Sequence, residues 1–134
     1  MRNAWALGLL ICACSSSEGG ALRQATYGRD FHYLEKKEVR TAMDRIAKEV
    51  VALEALLRAE APAPQPQVLL HLDAMIAAAA ELEGSGKAGN HPILDANLPS
   101  FRRDLSAARS SAAKDPPNYY LAGSVAGACQ YCHH

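Results

Sequence analysis

Four stretches of the chain repeat apolar residues at helical spacing, and none alternates as a half-buried strand does. In the first, Val39, Met43, Ile46, Val50, Leu53 and Leu57 follow at intervals of 4, 3, 4, 3 and 4. That is the seam of a helix packed on one face. Asp44 with Lys48, Arg45 with Glu49, and Glu54 with Arg58 occupy the other face at i,i+4, where opposite charges support a helix. The helix is expected to begin between Asp30 and Glu35. Pro62, Pro64 and Pro66 end it, since proline lacks the donor a helix needs and stiffens an extended connection.

A second helix is predicted over Gln67 to Glu83, with Leu69, Leu72, Ile76, Ala79 and Leu82 as its apolar stripe and Gly84-Ser85-Gly86 as its stop. Gly84 to Ala96 reads as a loop that contains His91-Pro92. Asn97 as N-cap and Pro99 in the first turn open a third helix. Its face is Leu98, Phe101, Leu105, Ala108 and Ala112. Asp115-Pro116-Pro117 closes it and opens a fourth, which runs toward the C-terminus with Leu121, Val125, Ala128 and Cys132 together. Helix formers dominate and β-branched alternation is missing, so the fold expected is all-α. Four helices with short links pack naturally as an antiparallel four-helix bundle, up-down-up-down.

The 134 residues are the size of one domain. Lys+Arg and Asp+Glu both number 14, so the formal charge is zero, which argues against nucleic acid as a partner. Hydrophobic residues make up 49% but aromatics only 6%, so the core must be built from aliphatic side chains. No Ser/His/Asp arrangement or paired-carboxylate site stands out. Gly84-Ser85-Gly86-Lys87 lacks the strand that a phosphate loop follows. The expectation is therefore a carrier or binding protein, not an enzyme.

The four cysteines lie in two close pairs near the two ends. Arg2 and the short apolar run Ala4 to Ile11 read as an export signal, too short to span a bilayer. Ile11-Cys12-Ala13-Cys14, followed by Ser15-Ser16-Ser17-Glu18, resembles a bacterial lipoprotein signal. The resemblance implies cleavage after residue 13, a lipid on Cys14 and a periplasm-facing, membrane-anchored protein. The expected organisation is a signal over residues 1–13, a flexible tether over 14–29 and a helical domain over 30–134. Removal of Arg2 leaves 13 basic against 14 acidic residues, so lipid and not charge would hold the chain to an anionic membrane.

Cys129-Gln130-Tyr131-Cys132-His133 is C-x-x-C-H, the attachment sequence of a c-type haem. Each thiol can add to one haem vinyl group. On a helix, positions i, i+3 and i+4 share a face, so His133 can offer its imidazole to the iron beside the two thioethers. Other readings of the same residues are a zinc site completed by His32 or His91, a thioredoxin-like pair without its βαβ context, and a disulfide across a loop too short to constrain much. Export places the chain where c-type haem is attached, and the cysteines are then all used.

C-x-x-C-H on the last helix of a four-helix bundle resembles the class II cytochromes c, which include cytochrome c prime and its low-spin relatives. The segment Glu38-Val39-Arg40-Thr41-Ala42-Met43-Asp44-Arg45-Ile46 is similar to their first helices. The resemblance spans Asp30 to His134. It implies one covalent haem c held by Cys129, Cys132 and His133, and an electron carrier with redox proteins as partners. It also admits a homodimer. By resemblance to the low-spin members, Met43 is the sixth iron ligand. Met75, or His32 with His91, are weaker candidates. With no sixth ligand the chain would resemble the gas-binding members, with Phe101, Leu98 and Leu72 as pocket walls. The chain departs from the family by ending at His134, without the usual Arg near the haem propionates; Arg40 is the substitute considered. Tyr119 and Tyr120 are expected beside the haem edge or capping the bundle, His71 at the surface or seam, and His134 in solvent.

Overall fold

The computed structural model describes residues 31–59, 61–83 and 89–133. The signal, the tether, Cys14, the Gly84-Ser85-Gly86 stop and His134 lie outside these described residues. The described chain is mostly helical, an all-α fold. Its elements are α1 (Lys36–Arg58), α2 (Gln65–Ala80), α3 (Pro92–Ala112), the short α4 (Tyr120–Ser124) and a 3-10 helix (Val125–Tyr131). Among the described residues there is no strand, only an isolated parallel bridge between His32 and Gly89. No described helix is long and apolar enough to cross a membrane.

α1 begins where Glu35 forms a reciprocal capping box with Glu38. This arrangement satisfies backbone donors that the first turn would leave open. Ile46 and Leu53 of the expected seam are buried, as is Ala42 beside it, whereas Val39, Met43, Val50 and Leu57 are half-buried against the same core. The Glu54–Arg58 pair forms at 2.9 Å. Arg45, expected to pair with Glu49, instead reaches Glu81 just past the end of α2. Glu49 meets His71 Nδ1 at 2.7 Å, so His71 is a half-buried link between α1 and α2.

Three boundaries differ from the periodicity. α2 starts at Gln65, because Pro66 fits a first turn that has no use for its missing donor. Its buried line is Val68, Leu72, Met75, Ala78 and Ala79, continued by Leu82; Leu69 and Ile76 are only half-buried. Apolar residues surround most of this helix, so spacing alone did not select the face. α3 starts at Pro92, with His91 as N-cap, and takes in most of the stretch expected to be loop. Asn97 is inside the helix and donates to the Ile93 carbonyl at 2.9 Å instead of capping.

The last helix is the third difference. The segment from Pro116 is not one α-helix: four residues precede α4, and the chain then tightens to 3-10 geometry. Gly123 and Gly127, each costing about 1 kcal/mol of helix propensity against alanine, weaken a continuous helix here. Ala122, Val125 and Ala128 are buried, whereas Leu121 is 37% exposed.

α3 supplies Leu98, Phe101, Leu105, Ala108 and Ala112, the face expected for it, to a single apolar core, and Leu94 from the stretch expected to be loop joins them. Across to α2, Arg109 grips Asp73 through Nε (2.6 Å) and Nη2 (3.3 Å), and Arg102 pairs with Glu83. Gln65 Nε2 donates to the Ala112 carbonyl at 2.9 Å and to that of Lys114 at 3.0 Å. Tyr119 donates its hydroxyl to the Ala63 carbonyl at 3.2 Å.

Candidate functional site

In the 3-10 helix residues three apart are eclipsed. Cys129 and Cys132 therefore share a side. The Cys129 carbonyl accepts from the amides of Cys132 (3.3 Å) and His133 (3.1 Å), which winds His133 round to the same region. Buried Val125 and Ala128 anchor the segment from below. The sequence thus places two cysteines and a histidine within a single turn.

These three residues line one half-open apolar cavity with a volume of about 40 Å3. α1 contributes Met43 and Ile46 to it, and α3 contributes Leu94, Leu98 and Phe101. Apart from the imidazole, the lining is hydrocarbon and sulfur. Met43 is half-buried, as a side chain facing a partly open cavity must be. Its thioether and the His133 imidazole are the kinds of donor that ligate haem iron, and both border this space. The two thiols needed for thioether bonds also border it. The residues present therefore fit a covalently attached haem in their donor set and their apolar walls, although the cavity as it stands is too small for a porphyrin unless its walls move apart.

Burial pushes the Cys129 thiol up from its ordinary value, and the Cys132 thiol as well, with the neighbouring Cys129 adding to the latter. Both remain thiols at neutral pH instead of reactive thiolates. Neither is joined in a disulfide.

The other candidates are elsewhere. Met75 is fully buried in the core and does not line the cavity; nor does Leu72, expected as a wall. His91 directs Nε2 to the Leu34 carbonyl at 3.2 Å. His32 borders a separate groove with Tyr33, Lys37, Glu38 and Glu81. Neither histidine reaches the cysteines' cavity, so a bis-histidine iron site is not assembled. Among the described residues no three His, Cys, Asp or Glu side chains converge as a metal site would require. Arg40 is exposed and outside the cavity lining. Tyr119 is half-buried beside Ala63, and Tyr120 is 80% exposed; neither borders the cavity.

Ile46 and Leu94 are wall residues that the spacing did not single out. Ile46 was legible as seam, one turn from Met43. Leu94 was hidden by the stretch expected to be loop. Comparisons with protein-family models, curated proteins and solved structures find no match.

Proposed function

We propose that the chain is a monohaem c-type cytochrome resembling the class II type, built as an antiparallel up-down-up-down four-helix bundle, which carries one electron at the periplasmic face of a membrane. One observation carries this reading: Met43 of α1 borders the same apolar cavity as Cys129, Cys132 and His133. Cys129 and Cys132 would hold the haem through thioethers, His133 would ligate the iron on the proximal side, and Met43 would supply the sixth ligand. When bound, haem c supplies a one-electron iron couple.

The protein's contribution is ligand identity and exclusion of water. Met/His ligation raises the potential of a haem, and so does a dry pocket. Ile46, Leu94, Leu98 and Phe101 provide the dry walls. The antiparallel order is supported by cross-helix partners that fall in reverse sequence: Asp73 with Arg109 and Glu83 with Arg102 between α2 and α3. Between α1 and α2, Arg45 pairs with Glu81 and Glu49 with His71. A lipid on Cys14 would tether the domain through residues 14–29, and redox proteins would be its partners. The support for export and lipidation is the sequence Ile11-Cys12-Ala13-Cys14 behind its apolar run.

The test is an absorption spectrum, oxidised and reduced, of protein made with c-type maturation machinery, repeated after denaturation and solvent extraction. Haem that stays with the polypeptide and a low-spin spectrum are expected. A high-spin spectrum would replace the electron carrier with a five-coordinate gas binder. A colourless protein, or haem that extracts freely, would overturn the cytochrome reading and make zinc analysis the next step.

A further inference from the structure

The last turn has little holding it. After Ala128 no described residue is buried, and the amides of Cys132 and His133 bond only back to Cys129. Tyr131, between the two cysteines, is the exception. Its hydroxyl donates to Asp104 Oδ2 of α3 at 2.8 Å. Among the described residues this is the one side-chain hydrogen bond from residues 129–133 to another element. Asp104 lies one turn beyond Phe101, and Phe101, Leu98 and Leu94 of that helix form a wall of the cavity. A single rigid helix thus presents the wall and anchors the turn that carries the thiols and the imidazole.

We infer that Tyr131, acting through Asp104, is a positioning residue that sets where the Cys129–His133 turn stands against the cavity wall. The inference rests on the haem reading. Tyr131 is not part of the cavity lining and borders a separate groove together with Asp104, so it acts through the turn. Releasing the turn would let His133 and its neighbours move, admit water to the iron and favour the more highly charged ferric state.

Tyr131→Phe keeps the ring and removes only the donor. In the haem-loaded protein it should speed amide exchange at Cys132 and His133 by about threefold to tenfold, the range for an ordinary hydrogen bond lost at an exposed site. Exogenous imidazole should bind more tightly and the reduction potential should fall. Asp104→Ala should reproduce all three effects. Asp104→Asn keeps an acceptor oxygen and should stay near wild type. Wild-type exchange, imidazole affinity and potential in Tyr131→Phe would overturn the inference. So would faster exchange spread evenly through α1 to α3, which would mark the bond as general stabilisation. If the wild-type chain holds no covalent haem, the haem reading falls and takes this inference with it. A coloured wild type beside an unaltered Tyr131→Phe instead rejects the positioning role alone.

Discussion

Leu34 and Asn90 clasp each other like two paired strand residues. The Leu34 amide donates to Asn90 Oδ1 at 2.8 Å, and Asn90 Nδ2 donates to the Leu34 carbonyl at 2.9 Å. One side-chain amide thus satisfies both backbone groups of Leu34, just before α1. Asn90 itself lies just before α3, so the clasp ties together the starts of the two helices that wall the cavity. His91 adds a second contact to the same carbonyl.

Asn90→Ala removes both bonds and leaves a partly buried backbone amide unpaired. The expected loss is about 1–3 kcal/mol of stability. Asn90→Asp should lose nearly as much, because a carboxylate accepts from the Leu34 amide but repels its carbonyl. Urea unfolding of the two variants checks this, and wild-type midpoints would mean that the clasp contributes nothing.

Gly89 sits where a side chain has no room. A Cβ there would come within 3.0 Å of the Asp95 carboxylate and of the His32 backbone carbonyl. Asp95 can swing away only by giving up its bond to the Gly89 amide, 3.0 Å long. Gly89→Ala should therefore cost about 1 kcal/mol or more, as overpacking does. Thermal melting reads the cost directly.

Met75 and Ile76 separate what spacing can decide from what it cannot. On α1 and α3 one face is apolar and the other charged, and the buried residues are those on the expected seams except Ala42 and Leu94. On α2 the run Val68 to Ala80 is interrupted only by His71 and Asp73, so several faces satisfy the same period. Packing against α1 and α3 chose Met75. Met75→Ala should accordingly cost about 2–5 kcal/mol, the range for a fully buried large side chain, and Ile76→Ala clearly less. Equal losses in chemical denaturation would contradict the assigned face.

The site was legible to the extent that its chemistry lies in contiguous residues. Cys129, Cys132 and His133 announce themselves by spacing. Met43 needed the resemblance, because a seam methionine is ordinarily core filler. Leu94 escapes the spacing because Gly89 and His91-Pro92 carry loop signals, whereas Pro92 opens α3. The Tyr131–Asp104 bond joins an exposed phenol to an exposed-face carboxylate far away in sequence, and no periodicity can report such a pair.

Met43→Ala tests the distal ligand. With Met43 on the iron, the variant loses the low-spin spectrum, gains affinity for exogenous ligands and falls in potential. The spectrum of the purified, haem-loaded variant decides the matter. An unchanged low-spin spectrum would remove Met43 from the site and leave it as cavity lining only.

The thiols supply a test that needs no haem. Burial raises both above their ordinary values, so folding favours the protonated form. For a group whose pKa is raised in the folded state, the contribution to stability is complete below the unfolded value and fades as pH climbs through the folded one. The reduced chain should therefore be alkylated more slowly at neutral pH in buffer than in urea. Its stability should also fall with rising alkaline pH, and Cys129→Ser with Cys132→Ser should reduce that fall. Alkylation rates with iodoacetamide in the two solvents measure the first effect, and urea midpoints across the alkaline range measure the second. Equal rates in buffer and urea would mean that the cavity does not enclose the cysteines until they are covalently attached, and the turn would then be shaped by its cofactor, not by Ala128 and Val125.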